Sequence, residues 1–296
     1  MRMSAHQRSG SPRIAIAGAT GRVGAALTAS LADARASVLA LTRNPAAARF
    51  PAGVDAAAVD FDDAGSLERA LRGVDRLFIS HGTSPRQVAN EIALIDAAVG
   101  AGVGHIVKLS ALGPPTTRHP YDWHMQIEAH LAARDVGYTV LRPGAFADVL
   151  RHAAKAVARN AWGGAAGNGV TNFIDTRDVA DAARVALLDG AVDAQRAHHL
   201  TGSKAWSMAD IARELSALLG REVIYEQRTP AAQRATLVAS GASEFIADLL
   251  LGLDRAFAES ALAETTSTVE QLTGHAPRPL TLWLRENIEL FAAMPA

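Results

Sequence analysis

The sequence predicts an α/β fold: a parallel sheet wound on both faces by helices, with a smaller mixed α/β lobe toward the C-terminus. Three observations carry this. Short apolar runs of strand length alternate with amphipathic helical stretches over the first half of the chain, the pattern of successive βαβ units. The first apolar run, Ile14-Ala15-Ile16-Ala17, passes directly into a glycine-rich turn, GATGRVG (Gly18 to Gly24), and then into a helix. After Pro143 the rhythm changes to glycine-rich turns, short strands and a mostly helical C-terminal quarter.

Element by element, Arg13 to Ala17 reads as the first strand and Gly21 to Ala34 as the first helix, with Val23, Ala26, Leu27, Ser30 and Leu31 near one face. Ser37 to Thr42 is a second strand. Val54 to Val59 is a weaker third, followed by Asp60-Phe61-Asp62-Asp63. Ser66 to Leu71 has helical periodicity, and Arg76 to Ser80 is strand four. Arg86 to Val99 is a helix carrying Val88, Ile92, Ile95 and Val99 at helical spacing. His105 to Leu109 is strand five, Tyr121 to Arg134 a helix, and Tyr138 to Arg142 strand six. Beyond them Val149 to Val157 reads as helix, AWGGAAGNG as a glycine-rich loop and Thr171 to Asp175 as a short strand. Asp178 to Leu188 is a helix, His198 to Leu200 a strand, Trp206 to Leu219 a helix with Ser207 near its cap, and Glu222 to Gln227 strand-like.

Composition narrows the function classes. The 296 residues are 49% hydrophobic and 20% charged, enough apolar material for a sizeable core and too much for global disorder. The net charge is −1 and no long basic run occurs, which argues against a nucleic-acid partner. Cysteine is absent, which excludes disulfides, thiolate metal sites, iron–sulfur ligation and cysteine nucleophiles. The opening MRMSAHQRSGSP lacks the apolar core of a signal peptide and reads as a flexible tail over residues 1–12. No segment supplies the roughly 20 apolar residues of a membrane span. A cytoplasmic protein is therefore expected, monomeric or homodimeric, with no membrane partner.

The glycine turn carries the chemistry. Gly18-x-x-Gly21-x-x-Gly24 has a strand before it and a helix after it, the context in which backbone N–H groups and the helix dipole cradle a pyrophosphate. This predicts a Rossmann-type dinucleotide-binding domain over residues 13–148, with residues 149–296 forming the smaller substrate lobe, partly interleaved with the sheet. Thr20, Arg22 and Val23 belong to the same loop. The end of strand two selects the dinucleotide: an acid there holds the ribose 2′-hydroxyl of NAD, a basic residue the 2′-phosphate of NADP. The sequence there is Leu41-Thr42-Arg43-Asn44-Pro45, with no acid in the slot. Arg43 is the expected phosphate ligand, since a guanidinium binds phosphate oxygens bidentately, and NADP(H) is the expected cofactor. Asp60 has two readings, acceptor from the adenine amino group or turn cap, with Phe61 beside the ring.

With these stretches in place, the chain resembles the NmrA-like group of atypical short-chain dehydrogenase/reductases. The resemblance rests on GATGRVG, LTRNP, VDFDD, GVDRLFIS, HIVKLSALG, the His and Glu of WHMQIE, YTVLRPGAF and FIDTRDVADAA, and extends into LTGSKAWSMADIARELSALLG. It implies NADP(H) binding, and includes quinone, azo-dye and triphenylmethane-dye reductases, phenylpropanoid reductases and cofactor-binding regulators. The Tyr-x-x-x-Lys proton relay of ordinary short-chain dehydrogenases is missing: counting back from Glu128 puts His124 in the lysine slot and Pro120 in the tyrosine slot, and Met125 stands four residues after Tyr121. His124 is then the candidate acid. It lies four residues before Glu128, which either orients the ring or forms a purely structural pair with it.

The resemblance also implies that Ser110, at the end of strand five, hydrogen-bonds substrate or nicotinamide ribose, or caps a turn. It places Ser80, His81 and Gly82 on the adenosine and ribose path, and Pro143, Gly144 and Phe146 beside the nicotinamide. Tyr121, Trp123, Phe146 and Trp162 are the candidate lining of an aromatic substrate pocket. Asp175, Arg177 and Asp178 are read as a helix cap, and no metal site is expected. The resulting expectation is an NADPH-dependent reductase delivering hydride to a quinone-like or conjugated aromatic small molecule. Its rivals are a non-catalytic NADP(H) sensor and a phenylpropanoid-type reductase using His124 as proton donor.

Overall fold

The computed structural model describes residues 11–34, 36–113, 120–188 and 195–292; most of the expected N-terminal tail lies outside them. Seven strands form one sheet in the order β10-β6-β5-β4-β1-β2-β3. The strands are β1 (Arg13–Ala17), β2 (Ser37–Thr42), β3 (Val54–Ala58), β4 (Arg76–Ile79), β5 (His105–Leu109), β6 (Gly137–Pro143) and β10 (Gln195–Leu200). β1 pairs in parallel with β2 and β4, β2 with β3, and β4 with β5. The central strands are buried on both faces, so they read as unbroken apolar runs; Ile14, Ala15 and Ile16 are fully buried. β3 is the edge, largely exposed, which is why its sequence signal is weak.

The chain divides into two compact units, one comprising Met1–Lys108, Leu131–Thr139 and Ala183–Gln195, the other Leu109–His130, Val140–Ala182 and Arg196–Ala296. In the first, helices α1 (Arg22–Asp33), α2 (Ala64–Leu71) and α3 (Gln87–Gly100) supply Leu27, Leu31, Leu67, Leu71 and Ile95 to a core that also holds Leu77 and Phe78 of β4. In the second, α4 (Tyr121–Ala132) is followed along the chain by β7 (Ala145–Phe146), a 3-10 turn over Ala147–Ala153, α5 (Ala154–Ala158), β8 (Gly163–Gly164) and β9 (Val170–Ile174). Then come α6 (Thr176–Leu188), β11 (Ala205–Ser207), α7 (Met208–Leu219), β12 (Glu226–Gln227), α8 (Pro230–Ala239), α9 (Glu244–Ala258), α10 (Thr268–Thr273) and α11 (Leu280–Glu286). Trp162, Phe173, Trp206, Ile211, Phe257 and Trp283 lie in this unit's own core. A three-stranded sheet, β11-β9-β7, and the two-stranded pair β12-β8 complete the described strands.

Several boundaries differ from expectation for local reasons. The helix expected from Val149 begins as a 3-10 turn and becomes α-helical only at Ala154. The strand expected over Glu222 to Gln227 shrinks to Glu226–Gln227, the two residues that pair with Gly163 and Gly164. The helix expected from Trp206 starts at Met208, because Ser207 and Asp210 close a reciprocal capping box there. Asp175 accepts the Arg177 N–H at 2.8 Å just before α6, as a cap should. Asp178, expected beside it as part of the cap, lies inside the helix and pairs with Arg278. No helix among the described residues is long and apolar enough to cross a membrane.

Candidate functional site

The three motif glycines have steric reasons. Gly18 has φ +85°, and a Cβ there would stand 2.0 Å from the carbonyl oxygen of Ser80. A Cβ on Gly24 would stand 2.1 Å from the carbonyl oxygen of Gly18, and one on Gly21 at 3.2 Å from the same atom. The turn is closed by Gly21 N–H donating to Gly18 O at 2.9 Å. Gly21 is the N-cap of α1 and makes no side-chain cap, so the first-turn N–H groups receive no side-chain acceptor from it. Val23 is buried and anchors the helix; Arg22 and Thr20 are exposed.

Beside this turn lies a cavity of about 570 Å³. It gathers Gly18, Thr20, Arg43, Asp60, Phe61, Ser80, His81 and Gly82, eight of the residues expected to hold cofactor. They converge because β1, β2 and β4 are parallel neighbours whose C-terminal ends meet on one edge. Two cations line the cavity. Arg86 is bound by Asp62, and that guanidinium holds the Asp62 carboxyl below the usual carboxylate range. Arg43 is exposed and has no carboxylate partner among the described residues. Asn44 is outside the lining and caps the next turn, accepting the Ala47 N–H at 3.3 Å.

Also on the lining, Asn90 Nδ2 lies 2.9 Å from His81 Nε2, and His81 Nδ1 2.6 Å from Gly82 O. An amide nitrogen only donates and a carbonyl only accepts, so the Asn90 amide faces Nε2 as a donor and the Gly82 carbonyl faces Nδ1 as an acceptor. Phe61 packs edge-on to that imidazole at 5.6 Å. Asp60 Oδ1 accepts the Asp62 N–H at 2.9 Å, the turn-cap reading, and its carboxylate also lines the cavity. Beneath lies a contact the sequence reading missed: fully buried Lys108 of β5 pairs with buried Glu91 of α3, Nζ to Oε2 2.9 Å. Gln87 donates to the other Glu91 oxygen at 3.0 Å, and Glu91 lines the cavity. An isolated Lys in an apolar strand gave no signal of its partner.

The second unit holds the remaining candidates. The Ser110 hydroxyl, buried at the end of β5, donates to Glu128 Oε1. Arg142 Nε donates to both Glu128 oxygens at 3.2 Å, and its Nη2 donates to Oε2. Glu128 is thus the hub of a Ser110–Glu128–Arg142 network, of which the arginine was not anticipated. His124 is half-buried on α4, one turn before Glu128. Pro143 and Gly144 are buried. Gly144 N–H donates to Leu200 O at 2.8 Å, and a Cβ there would meet Asn172 O at 2.9 Å.

Each of the four expected substrate aromatics has its own surroundings. Tyr121 packs over Gly113, whose Cβ would stand 2.5 Å from its ring, and burial pushes its phenol up. Trp123 stacks on Phe245 at 6.3 Å. Phe146 sits in β7, and Trp162 lines a second cavity. Asp178, Asp181 and His275 converge, but the Arg278 guanidinium bridges the two carboxylates, 2.9 Å from Asp181, so the charge that would draw a metal is already met by the chain.

The parallel sheet, the glycine turn at its carboxyl edge and the cavity ringed by Arg43, Asp60 and Ser80 define a Rossmann-type dinucleotide-binding protein. The model of the NAD(P)H-binding family matches residues 18–190, and the chain belongs to that family. It is 31% identical over 269 residues to quinone oxidoreductase 2 of Escherichia coli, covering 88% of this chain and 94% of that protein. It is also 31% identical over 285 residues to the NAD(P)H azoreductase of Xenophilus azovorans, covering 95% and 99%. The crystal structure of the NADPH-dependent quinone oxidoreductase of E. coli in complex with NADPH superposes with a TM-score of 0.83, at 30% identity, over 93% of this chain and 98% of that one. The triphenylmethane reductase of Citrobacter sp. shares the fold, with a TM-score of 0.84 at 21% identity over 94% and 99%. The resemblance to the NmrA-like reductases is borne out.

Proposed function

We propose that this protein is an NADPH-dependent reductase of quinone-like or other conjugated aromatic acceptors. One observation carries the cofactor preference: at the end of β2 the cavity presents Arg43, without a carboxylate partner, and no acid. The relatives' names, a quinone oxidoreductase and an azoreductase, support the acceptor class. The residues fit the cofactor: glycine at 18 and 24 lets the turn close against its own backbone and the end of β4, where a Cβ would meet Gly18 O or Ser80 O, and this sets the N-terminus of α1 beside a cavity that also presents Arg43.

In this reading the first turn of α1, with Gly18, Thr20, Gly21, Arg22, Val23 and Gly24, holds the pyrophosphate, Arg43 and Asn44 the 2′-phosphate, and Asp60 and Phe61 the adenine. Ser80, His81 and Gly82 follow the ribose, and Ser110, His124, Pro143, Gly144 and Phe146 attend the nicotinamide end. NADPH, when bound, supplies the hydride. The Ser110 proton is committed to Glu128, so its oxygen is left to accept a hydrogen bond, which suits it to position a ribose hydroxyl. Glu128, neutralised by Arg142, fixes that hydroxyl. His124 is the remaining proton carrier of the candidate set, and a quinone needs little acid help.

The test is NADPH consumption against quinones, azo dyes and conjugated carbonyl compounds, with NADH beside it. Turnover is expected to favour NADPH. Arg43→Ala should weaken NADPH binding by about 10- to 100-fold, the worth of a charge-assisted contact of about 1.5–3 kcal/mol, and leave NADH binding nearly unchanged. Equal NADPH affinity in titrations of Arg43→Ala and the native chain would remove Arg43 from the site. Tight NADPH binding with no turnover on any acceptor would favour the sensor role.

A further inference from the structure

A second cavity of about 560 Å³ lies within the C-terminal unit, in the size range of small-molecule sites, ~300–1,000 Å³. Its walls are apolar and aromatic: Trp162 and Tyr225 meet edge to face at 5.0 Å, and Met208, Leu253 and Phe257 line the space around them. The glycine-rich segment AWGGAAGNG builds one wall. A Cβ on Gly164 would stand 2.4 Å from the Tyr225 hydroxyl oxygen, so only glycine lets that ring take its place. Ala165 N–H and Ala166 N–H are spent on Asp254 Oδ2 and Tyr225 Oη, each at 3.1 Å.

Two features specify an occupant. The first is an unused donor. Tyr225 Oη accepts from Ala166, and its own proton is taken by no group among the described residues. Burial raises this phenol to about 12, so the proton stays on the oxygen across the working pH range. The second is charge. Lys155 and Arg159 are exposed on the lining and have no carboxylate partner among the described residues, with the His152 imidazole next to them. The third lining cation, Arg228, is occupied by Ala161 O at 3.0 Å, Gln233 at 3.2 Å and Glu226 at 3.5 Å. The one lining carboxylate, Asp254, is drawn toward its neutral form by burial.

We infer that this cavity binds a flat aromatic anion, its ring against Trp162 and Tyr225, an oxygen on the Tyr225 hydroxyl and its acidic substituent at Lys155 and Arg159. The inference rests on the reductase reading only for the aromatic class of the ligand. Binding, however, is measurable without turnover. Titration calorimetry of the full chain with 2-naphthalenesulfonate and its neutral isostere 2-naphthalenesulfonamide is the direct test. The sulfonate should bind about tenfold tighter at low salt, and high salt should erase most of the difference. Lys155→Ala with Arg159→Ala, both at exposed positions, should bring the two ligands to similar affinity. Leu237→Trp, which fills the cavity from α8, should abolish binding of both. Equal affinities in the native chain, or sulfonate binding indifferent to both variants, would overturn the site. Loss of this preference with NADPH-driven quinone turnover intact would leave the reductase reading standing. Sulfonate binding without any turnover would do the reverse.

Discussion

Gly18→Ala is expected to cripple dinucleotide binding, and a matched control separates the reason from simple strain. Alanine at φ +85° carries the left-handed penalty of about 1–2 kcal/mol. Its Cβ would also stand 2.0 Å from Ser80 O, so the end of β4 or the glycine turn must shift. Overpacking of that kind adds about 1–3 kcal/mol. Gly53 has nearly the same backbone, φ +83°, but a Cβ there meets nothing within 4 Å. Gly53→Ala should therefore show only the strain, about 1–2 kcal/mol in urea unfolding, with native NADPH affinity. Gly18→Ala should lose about 2–5 kcal/mol by the sum of the two effects, and its NADPH affinity should fall at least about tenfold, the loss of one charge-assisted contact. Native NADPH affinity in Gly18→Ala would mean the turn does not hold the cofactor.

The sheet was legible because its strands are buried on both faces. β1, β2, β4 and β5 are short, apolar and separated by helices whose periodicity matches the buried positions found. What escaped was local. β7 and β8 have two residues each, too short for any periodic signal, and they exist because Ala145–Phe146 and Gly163–Gly164 find partners distant in sequence. The 3-10 turn before α5 has a helical pattern, and only its bonding differs.

The site split in the same way. The residues around the glycine turn were legible because each is fixed by its distance in sequence from a strand end, and the topology brings those ends together. The partners of Glu128 and of Lys108 were not, because an ion pair between separate elements leaves no spacing to read. The second cavity was least legible. Tyr225 and Arg228 flank β12 and Asp254 sits on α9, with unremarkable sequence around them, and Gly164 of AWGGAAGNG makes sense only once the Tyr225 ring is seen against it.

Lys108→Met should be among the most destabilising single substitutions in the chain. Lys108 is fully buried in the middle of the sheet and Glu91 is 1% exposed, so the variant leaves a carboxylate with Gln87 as its donor and no cation at 2.9 Å. Removing one member of a buried ion pair costs about 3–5 kcal/mol, since the other charge stays desolvated without compensation. The pair itself is a different matter: two buried charges gain little net over a neutral pair, because their desolvation offsets their attraction. Lys108→Met combined with Glu91→Gln should therefore recover at least about half of the loss, the amide still accepting from Gln87 while no charge remains buried. Urea unfolding of both singles and the double gives the coupling energy, and strictly additive losses would show that the two side chains do not act as a pair. NADPH titration adds a second readout. Glu91 lines the cavity beside the glycine turn and adjoins Asn90, the partner of His81, so on the proposed placement of NADPH Lys108→Met should also weaken cofactor binding although Lys108 itself does not line that cavity.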